Sequence, residues 1–226
     1  MFRRKGIAGK NKEIGWFSVK NEAGVYMVDL FDGKAADWDS GDMKQKLSKA
    51  IGAAIVNQVP LKAGMQVMDF GAGTGLVCSY IAPHVAKIAA VDISPSMLGK
   101  LAEKPELQGK VDIICQDILA QPLKDSFDLI ISAMAMHHVE DTDKLIHSFA
   151  NHLRVGGSIA LADLDHEDGT FHPADIEGVY HDGFERHILK AKFKNAGFSD
   201  VQFKTAITIL KDGKAFPVFL LVATKG

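Results

Sequence analysis

From Met43 onward the chain alternates helical spacing with short apolar runs. Met43, Leu47, Ala50, Ile51, Ala54 and Ile55 recur at three- and four-residue intervals, which predicts a helix over 43–59. Pro60 ends it by restricting the residue before it. Apolar runs then predict strands at Gln66–Phe70, Lys87–Asp92, Val111–Cys115, Phe127–Ser132 and Ser158–Leu164. Helices are predicted between them: Thr74–Ala82, a segment from Ser94 to about Glu103, Asp141–Leu153 ended by Gly156-Gly157, and Phe184–Ala196 closed by Gly197. Ser94 is placed as an N-cap and Pro95 at the first helical position. Two last strands, Val201–Leu210 and Ala215–Ala223, flank an Asp212-Gly213 hairpin signal. Strands separated by helices imply βαβ units and a mostly parallel sheet, into which the hairpin must bring one antiparallel strand. Upstream, 24–30 reads as a short strand or helical turn, and 31–39 as a helix edge leading into a loop.

Composition narrows this picture. At 226 residues and 47% hydrophobic content, the chain fits one globular domain with a real core. A net charge of −2 gives no electrostatic reason to expect nucleic acid or an anionic membrane as partner. Arg3, Arg4, Lys5, Lys10 and Lys12 make the start basic, but no apolar stretch follows, so it reads as a solvated terminus rather than a secretory signal. No window approaches the ~20 apolar residues that would span a bilayer. Cys78 and Cys115 lie far apart, in a predicted helix and a predicted strand where buried thiols are common. A reducing cytoplasm is the expected compartment, with a monomer or homodimer as the expected assembly.

The chemistry concentrates at Asp69-Phe70-Gly71-Ala72-Gly73-Thr74-Gly75. Alternating glycines after a strand allow positive φ and close approach by a ligand, and the next helix points its free N–H groups into the same space. Asp92 ends the second strand at the spacing, about 20 residues past a glycine fingerprint, that suits a ribose. Asp117 follows the third strand, where a carboxylate can accept from an exocyclic amine, and Ile93 and Ile118 can flank a flat base. Asp69 would be a poor neighbour for a pyrophosphate but a good one for a cation. Leu76 stands where a GxGxxG turn would have its third glycine. Together these residues describe a nucleoside with an amino-acid tail.

At these residues the chain resembles the class I S-adenosylmethionine-dependent methyltransferases. Asp69 to Gly75 is similar to their motif I, Val91 to Leu98 to the segment after their second strand, and Gln116-Asp117-Ile118 to their adenine-contact motif. Phe127–Ser132 with Met136-His137-His138-Val139 resembles their fourth strand and its loop, and Leu153 to Ser158 the turn into the fifth. The likeness covers about Gln66 to Ala162 and leans toward the small-molecule branch that includes ubiquinone/menaquinone methyltransferase-like and type 11/25-like proteins. It implies an α/β, Rossmann-like, doubly wound seven-stranded sheet in order 3-2-1-4-5-7-6, strand 7 antiparallel, with helices on both faces. It implies S-adenosyl-L-methionine as cofactor, with Asp69, Gly71, Ala72, Gly73, Thr74, Gly75, Asp92, Ile93, Met97, Asp117, Ile118 and Ser132 around it. The partner implied is a small-molecule methyl acceptor.

In such a protein the rate comes largely from holding a nucleophile in line, and a general base is optional. His137 and His138, after strand four, are the catalytic candidates. Residues 165–182 are rich in acids and histidines but match no metal-binding signature, so no metal is expected there. They read as a substrate-lid insertion, with His166, Tyr180 and His181 as substrate candidates beside Trp38. Residues 1–40 read as a cap over the active site and 41–226 as the methyltransferase domain. Met134 and Met136 read as packing. Two other functions stay open at this point: an S-adenosylmethionine-binding regulator that lost transfer, and a nicotinamide-dependent oxidoreductase, whose GxGxxG turn and unencumbered position 69 this chain lacks. An aminopropyl transferase lacks a paired-acid polyamine motif.

Overall fold

A computed structural model describes residues 18–20, 26–173 and 175–226. The basic start of the chain lies outside them. Nine strands and six α-helices are described: β1 (Ser18–Lys20), β2 (Tyr26–Val28), α1 (Asp32–Ala35), α2 (Asp42–Gln58), β3 (Gln66–Phe70), α3 (Leu76–Ile81), β4 (Lys87–Asp92), α4 (Pro95–Ala102), β5 (Val111–Cys115), β6 (Phe127–Ala133), α5 (Thr142–His152), β7 (Leu153–Leu164), α6 (Arg186–Asn195), β8 (Phe198–Lys211) and β9 (Lys214–Lys225). β1 and β2 pair antiparallel by themselves, and the other seven form one sheet in the order β5-β4-β3-β6-β7-β9-β8. Numbered within that sheet, this is 3-2-1-4-5-7-6. Within the seven-stranded sheet β9 runs against the other strands, pairing antiparallel with both β7 and β8. The expected architecture is therefore the observed one.

Period-two alternation builds a core on each face of the sheet. On one side Val67, Ile88, Leu129 and Ile131 meet Ile51 and Ile55 of α2 and Cys78 and Ile81 of α3. On the other, Met68, Ile130 and Ile159 meet Leu145 and Phe149 of α5 and Leu189 and Phe193 of α6. Phe149 and Phe193 are fully buried, and each such side chain contributes about 1.5–3 kcal/mol.

Local chemistry fixes the ends that matter to the site. The Ser94 hydroxyl accepts from Met97 N at 3.2 Å, and Pro95 opens α4 as expected. Asp212 and Gly213, with φ of 51° and 78°, form the β8–β9 turn. Three expectations shift. α3 begins at Leu76 rather than Thr74, because Gly75 is left-handed at φ 78°. α5 ends at His152 because Leu153 already pairs with Phe127, so the Gly156-Gly157 pair falls inside β7 beside a register irregularity. α6 begins at Arg186 because Phe184 bridges to Asp165. Cys78 is buried, but Cys115 is exposed because β5 is an edge strand.

Candidate active site

At the carboxyl ends of β3, β4 and β6 lies a cavity of about 370 Å³. The glycine turn forms its floor, and its three glycines answer to two different demands. Gly71, Gly73 and Gly75 have φ of 68°, 54° and 78°. A Cβ on Gly71 would stand 2.3 Å from Ala135 Cβ, and one on Gly75 would stand 2.7 Å from Leu101 Cγ. A Cβ on Gly73 would meet nothing within 4 Å. Two glycines are thus held by packing, and the middle one turns its bare face to open space.

Three carboxylates stand on this floor. Asp92 Oδ2 accepts Gly73 N at 2.7 Å and its Oδ1 accepts Ser94 N at 2.8 Å. Each oxygen keeps a lone pair for a further donor. Burial raises the Asp92 pKa against the pull of those amides. Asp69 is buried with Cys78 Sγ donating to its Oδ2 at 3.0 Å, and burial pushes its pKa up to about 7. Asp117 Oδ1 accepts Leu119 N at 2.8 Å.

Residues 29–39, ahead of α2, are tied to the glycine turn and to α4, and two of them line the cavity. Asp29 Oδ2 accepts from the hydroxyls of Ser94 and Ser96 at 3.0 and 2.6 Å. Burial alone would raise the Asp29 pKa, but the bonds from Ser96, Phe31 and Ser94 hold it below the usual carboxylate range. Asp39 accepts the Thr74 hydroxyl at 2.5 Å and pairs with Lys104 at 2.8 Å. Phe31 and Trp38, edge to face at 5.8 Å, line the cavity between these two anchors. Lys44, Leu47, Ser48 and Ile51 of α2 line it at i, i+3, i+4 and i+7. Lys44 Nζ lies 3.3 Å from the Trp38 ring centroid, and burial together with nearby Lys34 lowers its pKa.

Of the residues expected from sequence, the cavity brings together Trp38, Asp69, Gly71, Ala72, Gly73, Thr74, Asp92, Ile93, Met97, Asp117, His138 and Tyr180. Others stand off its wall. Gly75 packs on Leu101 and Leu107. Ile118 is fully buried in the core below, and Leu119 takes the place on the wall. The Ser132 hydroxyl donates to Phe70 O at 2.9 Å, tying β6 to β3. His166 is exposed, its backbone N–H bonded to Phe184 O. His181 Nε2 lies 2.9 Å from Val139 O.

His137 and His138 point differently. His137 is buried, its Nδ1 2.7 Å from Asp163 Oδ1 and its backbone N–H donating to Asp163 Oδ2 at 3.2 Å. Burial works against the His137 cation, but Asp163 wins and raises its pKa. His137 Nε2 is buried without a partner among the described residues. His138 faces the cavity with its Nδ1 2.6 Å from Gly178 O. Burial first and the His137 charge second lower its pKa to about 4. His172, its ring 5.1 Å from that of His137, is lowered to about 4 by the same causes.

Sequence reasoning missed Lys44, Asp29, Asp39, Asp163, Gly178 and Met134. Lys44 was visible as a cation on the apolar stripe of α2. Met134 was read as packing; it also lines the cavity, at φ 55°, where non-glycine residues rarely sit. Among the described residues no group of three or more His, Cys, Asp or Glu is placed to hold a metal ion, and no helix is long and apolar enough to cross a membrane.

A methyltransferase-domain family model matches residues 68–161. An uncharacterized methyltransferase of Geobacillus is 33% identical over 161 residues, covering 64% of this chain and 75% of the relative. One from Schizosaccharomyces pombe is 30% identical over 164 residues, covering 65% of this chain, and the chain spans only 58% of that relative's length. Magnesium protoporphyrin IX methyltransferase of Synechocystis, solved with bound SAH, shares the fold with a TM-score of 0.65 at 20% identity, over 88% of this chain and 97% of that one. The chain belongs to the class I S-adenosylmethionine-dependent methyltransferases.

Proposed function

We propose that the protein binds S-adenosylmethionine in this cavity and transfers its methyl group to a small-molecule acceptor. The observation that carries the reading is the open face of Gly73 beside Asp92, in a turn whose other two glycines are packed solid. A bare main chain there accepts a ligand that any side chain would exclude. The SAH and the small-molecule acceptor named for the Synechocystis neighbour support it.

When bound, the cofactor supplies a methyl group on an electron-poor sulfonium. The chain's own residues do the rest. Asp92 offers its free lone pairs to the ribose hydroxyls. Asp117, Ile93 and Leu119 surround the base. Asp69 supplies a negative charge under the cationic tail, and Lys44 is the lining cation that complements a carboxylate. Phe31, Trp38 and Tyr180 exclude water on the acceptor side, which favours in-line transfer by placement.

Calorimetric titration with S-adenosylhomocysteine tests binding, and incubation with methyl-labelled S-adenosylmethionine and a metabolite panel tests transfer. Binding in the micromolar range and label in a small acceptor are expected. Tight NADH binding with no signal from S-adenosylhomocysteine overturns the reading.

A further inference from the structure

Asp69, one residue before the end of β3, meets the cavity with few donors of its own. It is only 2% exposed, and a carboxylate removed from water needs donors to replace the water it has lost. Among the described residues its side chain finds one, the thiol of Cys78 in α3, which donates to Oδ2 at 3.0 Å. Asp69 lines the cavity, yet no hydrogen-bond partner for its Oδ1 occurs among the described residues. A thiol is a weak donor, so the contact steers the carboxyl group more than it stabilises its charge.

Cys78 is held for this contact. It is fully buried in the core formed with Ile51, Ile55, Val67 and Ile81, so its side chain has nowhere else to turn. Burial first and the Asp69 charge second push the thiol pKa up, so Cys78 keeps its proton and stays a donor. Two other charged groups act on the pair. Asp92 of β4 opposes the ionisation of Asp69, and Lys104, itself paired with Asp39, acts on Cys78. With Oδ2 tied into the core, Oδ1 is the oxygen left to meet a cation that enters the cavity.

We propose that Cys78 is a positioning residue for the cofactor: its S–H ties Oδ2 of Asp69 and so presents Oδ1 to the ammonium of the amino-acid tail. This rests on the methyltransferase reading. Cys78 is not among the residues that line the cavity, so it acts through Asp69 alone. Without the donor, Asp69 is free to turn and harder to ionise. Below pH 7, where the carboxyl group is largely protonated, the cofactor must then bind against a larger cost of releasing that proton. Well above pH 7 the carboxylate is ionised with or without the thiol, and the deficit closes.

The test compares Cys78→Ala with Cys78→Ser in the full-length protein. Both give up about the same volume, but only the serine keeps a donor. The probes are S-adenosylhomocysteine, which carries the ammonium, and 5′-methylthioadenosine, which keeps the nucleoside and thioether without it. By calorimetry at pH 6, Cys78→Ala should bind S-adenosylhomocysteine about fivefold more weakly than the unaltered protein, the size of one net hydrogen bond. At pH 8 the difference should shrink to about twofold or less. Cys78→Ser should stay close to the unaltered protein at both, and 5′-methylthioadenosine should bind all three alike. The carboxyl 13C signal of Asp69 should titrate at higher pH in Cys78→Ala. Cys78→Val, which removes the donor and keeps the bulk, gives the same comparison if the alanine protein fails to fold. Equal weakening by serine and alanine, unchanged affinity without the donor, or a parallel loss for 5′-methylthioadenosine overturns the proposal. If the unaltered protein binds neither probe, the methyltransferase reading falls, and this proposal with it.

Discussion

Asp92 accepts the Gly73 amide at 2.7 Å, so the residue placed to hold a ribose also holds the turn that cradles the ligand. Its other oxygen caps Ser94 N. Asp92→Ala should therefore cost both stability and affinity. Two charge-assisted bonds to ribose at about 1.5–3 kcal/mol each predict a loss of at least a hundredfold in S-adenosylhomocysteine affinity. The lost backbone bonds should lower the melting temperature by several degrees. Asp92→Asn should not rescue, since its amide would face one of the two N–H groups. Calorimetry of a folded Asp92→Ala protein that binds like the unaltered one rules out the ribose role.

The glycine turn predicts three unequal outcomes. Gly73→Val meets open space, so its fold should survive with a left-handed backbone cost of about 1–2 kcal/mol, while cofactor binding disappears. Gly71→Ala should destabilise strongly because the new methyl meets Ala135 Cβ at 2.3 Å. Adding Ala135→Gly should recover most of that loss. Gly75→Ala meets Leu101 Cγ at 2.7 Å, and overpacking of this kind costs about 1–3 kcal/mol. Circular-dichroism melts and titrations on the four proteins separate ligand space from packing space. A Gly73→Val protein that still binds cofactor contradicts the assignment.

What sequence reveals and conceals here follows from range. β3, β4 and β5 are readable because each apolar run is bounded by residues that act locally. The antiparallel β9 is readable because Asp212-Gly213 dictates a tight turn. The start of α3 is not, because the left-handed Gly75 that delays it to Leu76 is set by packing against Leu101 and Leu107 from later in the chain. Ile118 and Leu119 exchange places because one residue of phase after β5 decides which side chain meets the cavity. Ser132 reads like a site residue, yet its hydroxyl is consumed by Phe70 O. Asp163 is silent in sequence, since its meaning comes from His137, 26 positions earlier.

Asp69 predicts a pH effect on binding. Burial raises its pKa to about 7 in the folded protein, against about 3.9 unfolded. A raised carboxyl favours folding at low pH and loses that contribution as pH climbs toward 7. This contribution opposes the rise that buried histidines give over the same range, so Asp69→Asn should make stability climb more steeply between about pH 4 and 7. A cationic ligand needs the ionised form, so binding of S-adenosylmethionine at pH 6 should release a proton. Calorimetry in buffers of different ionisation heat measures this, and identical observed heats in all of them would remove Asp69 from the cation site.

His137 and His138, 4.2 Å apart, should pull the pH–stability curve in opposite directions. The folded-state pKa of His138 is lowered to about 4, so the unfolded chain binds the extra proton between there and about 6.5, and stability rises with pH across that window. His172, also lowered to about 4, adds to the rise. His137 is raised by Asp163. Its contribution is complete below about 6.5 and is lost as pH rises through the folded value. Chemical denaturation from pH 4 to 9 should thus show an ascending limb that His138→Phe reduces and a descending limb above neutrality that Asp163→Asn removes. Asp163→Asn should also cost stability at pH 6, because it breaks a buried pair, a change worth about 3–5 kcal/mol. If the curves for Asp163→Asn and the unaltered protein run parallel above pH 6.5, His137 is neutral in the folded state and the positive charge invoked beside His138 is absent.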